Sequence, residues 1–253
     1  MTLSAADVHT VARTLLAARS SGELLPTPPF ALNDASDAYR IQDAVAQRHG
    51  TMDGWKVGAK GPEAAPTCAP LLGGTVLERS DGLGRDILVG RSVGVEVEIA
   101  YRFNRGFAAD SVVRDEDVLG GISSAHIAVE LCASRLAEGA KAAPLWLLAD
   151  NQMNERLILG PRLASWQTLE PASVATRLAV DGELLVSSVG GYPPRDPLRL
   201  VIWLARHCVE HRGGLRSGQI ITTGSWTGMP IVSPPAQISA EFAALASLAF
   251  KIS

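Results

Sequence analysis

The chain has 253 residues, 47% hydrophobic and 19% charged, with a formal net charge of -3. That length and composition suit a folded domain and exclude a disordered polar chain. The slight acidity and the lack of any basic run interleaved with aromatics exclude a nucleic-acid surface, which leaves a small molecule as the expected partner.

The first elements in chain order are helices. Apolar residues at helical spacing predict one over Ala5 to Ala18, where Asp7, His9 and Arg13 interrupt any signal-peptide core, and a second over Ser36 to Arg48. Asp34 or Ser36 can cap the second and Gly50 can stop it. The character then turns to short β-rich runs: Trp55 to Val57, Thr75 to Leu77, Val93 to Phe103, Ser124 to Leu131 and Leu145 to Leu148. Ala175 to Val189 alternates on both sides of Asp181-Gly182, a dipeptide suited to a type I′ hairpin. A third helix over Leu198 to His211 should end at Gly213-Gly214, and Gln219 to Ser225 reads as a last strand. No repeat or linker divides the chain. The expectation is one α+β domain over residues 1–253: a helical part to about residue 50, then a mixed, mostly antiparallel β body. No window approaches a membrane span. Cys68, Cys132 and Cys208 are scattered without a CxxC pair, which fits reduced thiols in the cytoplasm.

Gly94-Val-Glu-Val-Glu-Ile-Ala-Tyr101 carries the first chemical signal. Period two puts Glu96 and Glu98 on one strand face, with α-carbons roughly 6.5 Å apart and only Gly94 and Ala100 flanking them. No Lys or Arg lies between them, and like charges this close require a counter-charge. A hard divalent cation with oxygen ligands supplies one; a wet edge strand is the alternative. Glu130, on the polar side of Ala125 to Arg135 with His126 and Ser134, is a third candidate carboxylate.

These pieces stand in a recognisable order. Gly54-Trp-Lys-Val-Gly58, Glu96-Val-Glu98, Glu130 before Ser134-Arg135, Ala149-Asp-Asn151 before Leu159-Gly160, and Thr223-Gly-Ser225 resemble the 2-keto-4-pentenoate hydratase and oxalocrotonate decarboxylase family of the fumarylacetoacetate hydrolase superfamily. The resemblance implies a β-sandwich or roll with N-terminal helices, a Mg²⁺ or Mn²⁺ cofactor, small 2-oxo or 2-hydroxydienoate acids as substrates, and a homo-oligomer. It implies metal ligation by Glu96, Glu98 and Glu130, an active-site role for Lys56, and pocket positions for Asp150, Asn151, Ser134 and Ser225. The chemistry of these residue types agrees, since a 2-oxo acid chelates a hard cation that then stabilises enolate charge. Hydration of a dienoate is the expected reaction, with decarboxylation of a 2-oxo-3-enedioate as the alternative.

The chain departs from the family pattern at Ala59-Lys60, at Ala133, and along Cys68-Ala-Pro-Leu-Leu-Gly-Gly74. Glu78 and Asp81 are therefore further candidates for an acid or base. The same departures allow a non-catalytic subunit that binds a small acid or a pathway enzyme. A separate motif, His207-Cys-Val-Glu-His211, matches the H-x-x-E-H zinc signature, although histidines are also favoured in the last turn of a helix.

Overall fold

The computed structural model describes residues 3–79 and 86–253. In chain order the elements are α1 (Ala5–Ser21), α2 (Ala35–His49), β1 (Met52–Gly58), β2 (Thr67–Leu72), β3 (Val76–Glu78), β4 (Val93–Phe103), β5 (Phe107–Ala108), α3 (Asp115–Gly120) and β6 (Ile122–Cys132). There follow α4 (Pro144–Ala149), β7 (Asn154–Arg162), β8 (Ala175–Val180), β9 (Glu183–Val189), α5 (Pro197–His211), β10 (Gly214–Leu215), β11 (Ile220–Thr222), β12 (Ile231–Val232), β13 (Ala236–Phe242) and β14 (Ala246–Ile252).

The helices begin and end where side-chain chemistry permits. Ser4 caps α1 by accepting from the Asp7 amide at 3.1 Å, and Asp34 caps α2 by accepting from the Asp37 amide at 3.2 Å. Gly22 and Gly50 close them with φ of 77° and 91°, the left-handed conformation a helix C-terminus requires. Val8, Val11, Leu15, Ile41 and Val45 repeat at helical spacing and pack with Trp146 and Leu148 of α4. Leu145 to Leu148 is therefore helical, not the expected strand. A four-residue apolar run carries no decisive period, and Pro144 opens the helix at a position where its missing N–H costs nothing.

The central sheet has the order β2-β1-β11-β4-β6-β7-β3, with β12 also paired to β4. Pairing is antiparallel except for β1 with β11 and β3 with β7, which run parallel. A second sheet, β14-β13-β8-β9, includes the Asp181-Gly182 hairpin, whose two turn residues have φ of 51° and 85° as a type I′ turn demands. Val95, Val97 and Ile99 on one face of β4 join Ile127 and Val129 of β6, Ile238 and Phe242 of β13, and Leu204 and Cys208 of α5 in the main core. Each such side chain, fully buried, contributes on the order of 1.5–3 kcal/mol. The opposite face of β4 points away from that core, and it carries the glutamates. No helix among the described residues is long and apolar enough to cross a membrane.

Candidate metal centre and active site

Register completes what period two begins. Gly94 pairs with Cys132, Glu96 with Glu130, and Glu98 with Ala128, so that Glu96, Glu98, Glu130 and Cys132 share one face of the β4–β6 ladder. Glu98 is 1% exposed and Glu130 is fully buried. Lys56, from β1, donates from Nζ to Oε1 of Glu130 at 2.7 Å and to the backbone oxygen of Gln152 at 3.1 Å. Asn154 donates to the same Glu130 oxygen at 2.8 Å. Oε2 of Glu98 accepts from the Thr222 hydroxyl and from the Gly224 amide, the latter at 2.9 Å. The Cys132 thiol donates to Oε2 of Glu96 at 3.4 Å.

Two buried carboxylate oxygens, Oε1 of Glu98 and Oε2 of Glu130, have no hydrogen-bond partner. Three carboxylates face one ammonium, and an orphaned buried acceptor is costly. Burial, followed by the charge of Glu130, raises the Glu96 carboxyl above its ordinary value. Glu98 is raised well above it, first by burial and then by Glu130 and Glu96. Burial alone would lower the Lys56 ammonium, but the charges led by Glu130 outweigh it and the net shift is upward. Without a bound ion, Lys56 is a cation held by the carboxylates. The donor set fits a divalent ion: oxygen-rich, electron-rich, and short of positive charge. Glu96, Glu130 and Cys132 bring one ligand atom each to within 4.8 Å of one another. Glu98 stands one step along the same face, outside that closest trio.

Above the carboxylates lies a cavity of about 300 Å³, at the lower end for a small-ligand site. Lys56, Glu96 and Glu98 form its charged end, while Val57, Tyr192, Pro193 and Pro194 give it apolar walls. Tyr192 is fixed by stacking on Trp226, with ring centroids 4.7 Å apart, and by donating to the Thr223 carbonyl. Gln152 also lines the cavity, from a turn in which Asn151, Gln152 and Met153 all have positive φ, at 50°, 49° and 61°. Three successive non-glycine residues in the left-handed region store strain, which is characteristic of a functional site.

The other expected site residues divide. Ser225 lines the cavity and donates to the Gly228 carbonyl at 2.6 Å. Ser134, Asp150 and Asn151 are buried outside it. Asp150 accepts from Ser134 at 2.9 Å, from the Arg135 amide at 2.8 Å and from Arg135 Nε at 2.6 Å, and Asn151 donates to the Pro70 carbonyl at 3.4 Å. This network anchors the strained turn to the end of β6, outside the cavity lining. Glu78 is also displaced from the site: its side chain is 67% exposed and accepts from Arg102 at 2.8 Å, beside a different pocket. Nearness to the lysine loop in sequence does not carry over, because Glu78 lines the pocket of Asp53 and Arg102, not the cavity of Lys56. Asp81 lies outside the described residues. The H-x-x-E-H helix does not assemble a zinc site: His207 stacks on Trp203 at 4.8 Å, Glu210 pairs with His211 at 3.5 Å, and no third ligand joins them among the described residues.

Cys132, Gln152, Asn154, Thr222 and Tyr192 escaped the sequence reading. Cys132 follows Glu130 by two residues, so the same alternation that paired the glutamates marks it; the other four depend on contacts that cross the chain and leave no local signal.

The chain is similar to known proteins in sequence and in fold. The family model described as fumarylacetoacetate (FAA) hydrolase C-terminal matches residues 74–253, more than half of the chain. A 2-keto-4-pentenoate hydratase of Paraburkholderia phymatum is 26% identical over 230 residues, covering 85% of each chain. A 4-oxalocrotonate decarboxylase of Pseudomonas putida is 26% identical over 132 residues, 52% of this chain and 50% of that one. In overall fold the chain is similar to the 4-oxalocrotonate decarboxylase of Pseudomonas putida G7 complexed with magnesium and adipate. The TM-score is 0.83 at 22% identity, over 100% of this chain and 99% of that one.

Proposed function

The chain belongs to the fumarylacetoacetate hydrolase C-terminal family, and on that premise we propose that it is a metal-dependent lyase adding water to a 2-hydroxy-2,4-dienoate to give a 4-hydroxy-2-oxo acid. The observation that carries this reading is the pair of orphaned carboxylate oxygens, on Glu98 and Glu130, beneath a cavity that Lys56 enters. Glu96, Glu98 and Glu130 would hold Mg²⁺ or Mn²⁺. When bound, that ion supplies Lewis-acid stabilisation of charge on the 2-oxygen of a chelating 2-oxo acid.

The chain's own residues supply the rest. Lys56, held as an ammonium by Glu130 and the Gln152 carbonyl, pairs with the substrate carboxylate or passes a proton from Nζ to the dienoate carbon that must be protonated before water adds. Val57, Tyr192, Pro193 and Pro194 enclose the apolar end of the substrate and limit the water that reaches it.

Decarboxylation of a dioic acid is the second reading, supported by the Pseudomonas putida relative. Against it, Lys56 is the only cation lining the cavity among the described residues, so a distal carboxylate there would lack a partner. The same proposal includes a homo-oligomer in the cytoplasm. Leu184, Leu185 and Val189 are exposed on the edge strand β9, and the three cysteines are free. Sedimentation velocity reporting a single-chain mass would remove the oligomer.

The reaction is tested by following the ultraviolet absorbance of a 2-hydroxy-2,4-dienoate with chelator-treated protein, before and after Mg²⁺ or Mn²⁺ is restored, with the product weighed by mass spectrometry. Metal-dependent gain of one water is expected. Loss of CO₂ from a dioic substrate would replace the hydratase with the decarboxylase, and inertness toward both substrate types would remove the enzyme.

A further inference from the structure

Cys132 lies on the face of β6 that carries Glu130, and its partner across the ladder is Gly94, which places no side chain between the thiol and Glu96. Sγ is 3.4 Å from Oε2 of Glu96, and its residue is 4% exposed. With Glu96 and Glu130 it forms the only trio of ligand atoms mutually within 4.8 Å among the described residues. An independent observation points to a ligand at this place. Glu130 is fully buried; its Oε1 is taken by Lys56 and Asn154, and its Oε2 has no partner. A second sulfur stands close by: the Met229 thioether crosses Gly94, with Sδ 2.8 Å from where a β-carbon on that glycine would lie and Cβ of Cys132 3.3 Å from the same point. Packing alone would be served by valine, whereas a thiol brings a soft donor to a carboxylate cluster.

We propose that Cys132 is a further, sulfur ligand of the ion held by Glu96, Glu98 and Glu130, so that the centre is a mixed carboxylate and thiolate site that favours a first-row transition ion, Mn²⁺ included, over Mg²⁺. The inference rests on the metal-centre reading above and narrows it. As the Sγ–metal bond forms, the thiol S–H bond breaks heterolytically. Its electron pair becomes the donor pair and its proton leaves to solvent, so one further proton is released per ion. Hard Mg²⁺ gains nothing from such a donor, while softer divalent ions do.

Cobalt substitution tests it without turnover. Metal-free protein is titrated with Co²⁺, with binding followed by calorimetry and the near-ultraviolet spectrum recorded for wild type, Cys132→Ser, Cys132→Ala and the double variant Cys68→Ala/Cys208→Ala. The wild type and the double variant should develop a sulfur-to-cobalt charge-transfer band at one equivalent. The Cys132 variants should bind cobalt without the band and about tenfold or more weakly, the scale on which second-shell changes alone act. Cobalt bound to the wild type without the band overturns the inference and leaves the carboxylate centre standing, as does a band that persists in Cys132→Ala or vanishes in the double variant. No cobalt bound to the wild type overturns the metal-centre reading, and this inference with it.

Discussion

Lys56 and Glu98 show how burial sets the chemistry of single residues. Lys56 reaches the carboxylates from β1 and is the cation nearest to Glu130. Lys56→Met should cut turnover roughly 100- to 10,000-fold, the usual range for losing a positioned proton donor, while a divalent ion still binds. Equal activity in the variant, measured alongside metal content, would contradict the role. Glu98, held well above the ordinary carboxylate range, makes the metal-free folded state bind more protons than the unfolded chain between the ordinary value and the raised one. Stability therefore falls as pH rises through that window. Urea midpoints taken with chelator from about pH 5 to pH 8 should decline, and Glu98→Gln should flatten the decline. An unchanged slope in Glu98→Gln would mean that another group carries it.

At the scale of elements, two devices hold the site in place. Gly54 lies where β1 runs beside β11, and a β-carbon there would come 1.9 Å from the Ile220 carbonyl oxygen. Backbone cannot move aside as a flexible side chain can, so Gly54→Ala should lower stability by about 3 kcal/mol, read from urea unfolding, and should displace Lys56 two residues on. The Arg135–Asp150 pair, at 2.6 Å and almost fully buried, ties the end of β6 to the strained turn of Gln152. Asp150→Ala takes its nearest carboxylate from a buried guanidinium, leaving only Glu155 at 3.5 Å, and should cost about 3 kcal/mol in the same measurement, in contrast to an exposed pair such as Arg114 with Glu116. Both sites also mark how far local sequence is informative. The glycine flanking the lysine and the Ser-Arg and Asp-Asn motifs were visible. That Ser134 donates to Asp150 and Asp150 accepts from Arg135 was not, because an isolated polar residue does not reveal its partner. The helix at Leu145–Leu148 was missed for a related reason: a short apolar run has no period to read.

The whole molecule brings together what alternation within single strands leaves apart. Period two was enough to place Glu96 beside Glu98, yet pairing Glu96 with Glu130 depends on β4–β6 register, and the approach of Lys56 depends on a β1–β11–β4 order that no local pattern encodes. Tertiary packing likewise places Glu78 beside Arg102 in a different pocket, although it is a near neighbour of the lysine loop in sequence. The fold class and the carboxylate core were legible because burial and alternation are local; the cavity wall of Tyr192, Pro193 and Pro194 was not, since it is built by a loop that returns from far along the chain, beyond β9. The central claim is that this assembled face binds one divalent ion accessible to a 2-oxo acid. Electron paramagnetic resonance titration of metal-free protein with Mn²⁺ tests it most directly, in wild type and in Glu96→Gln, with and without added pyruvate. One ion per chain, perturbed by pyruvate and lost or greatly weakened in Glu96→Gln, is the predicted result; equal binding by the variant, or no bound Mn²⁺ in the wild type, would contradict it.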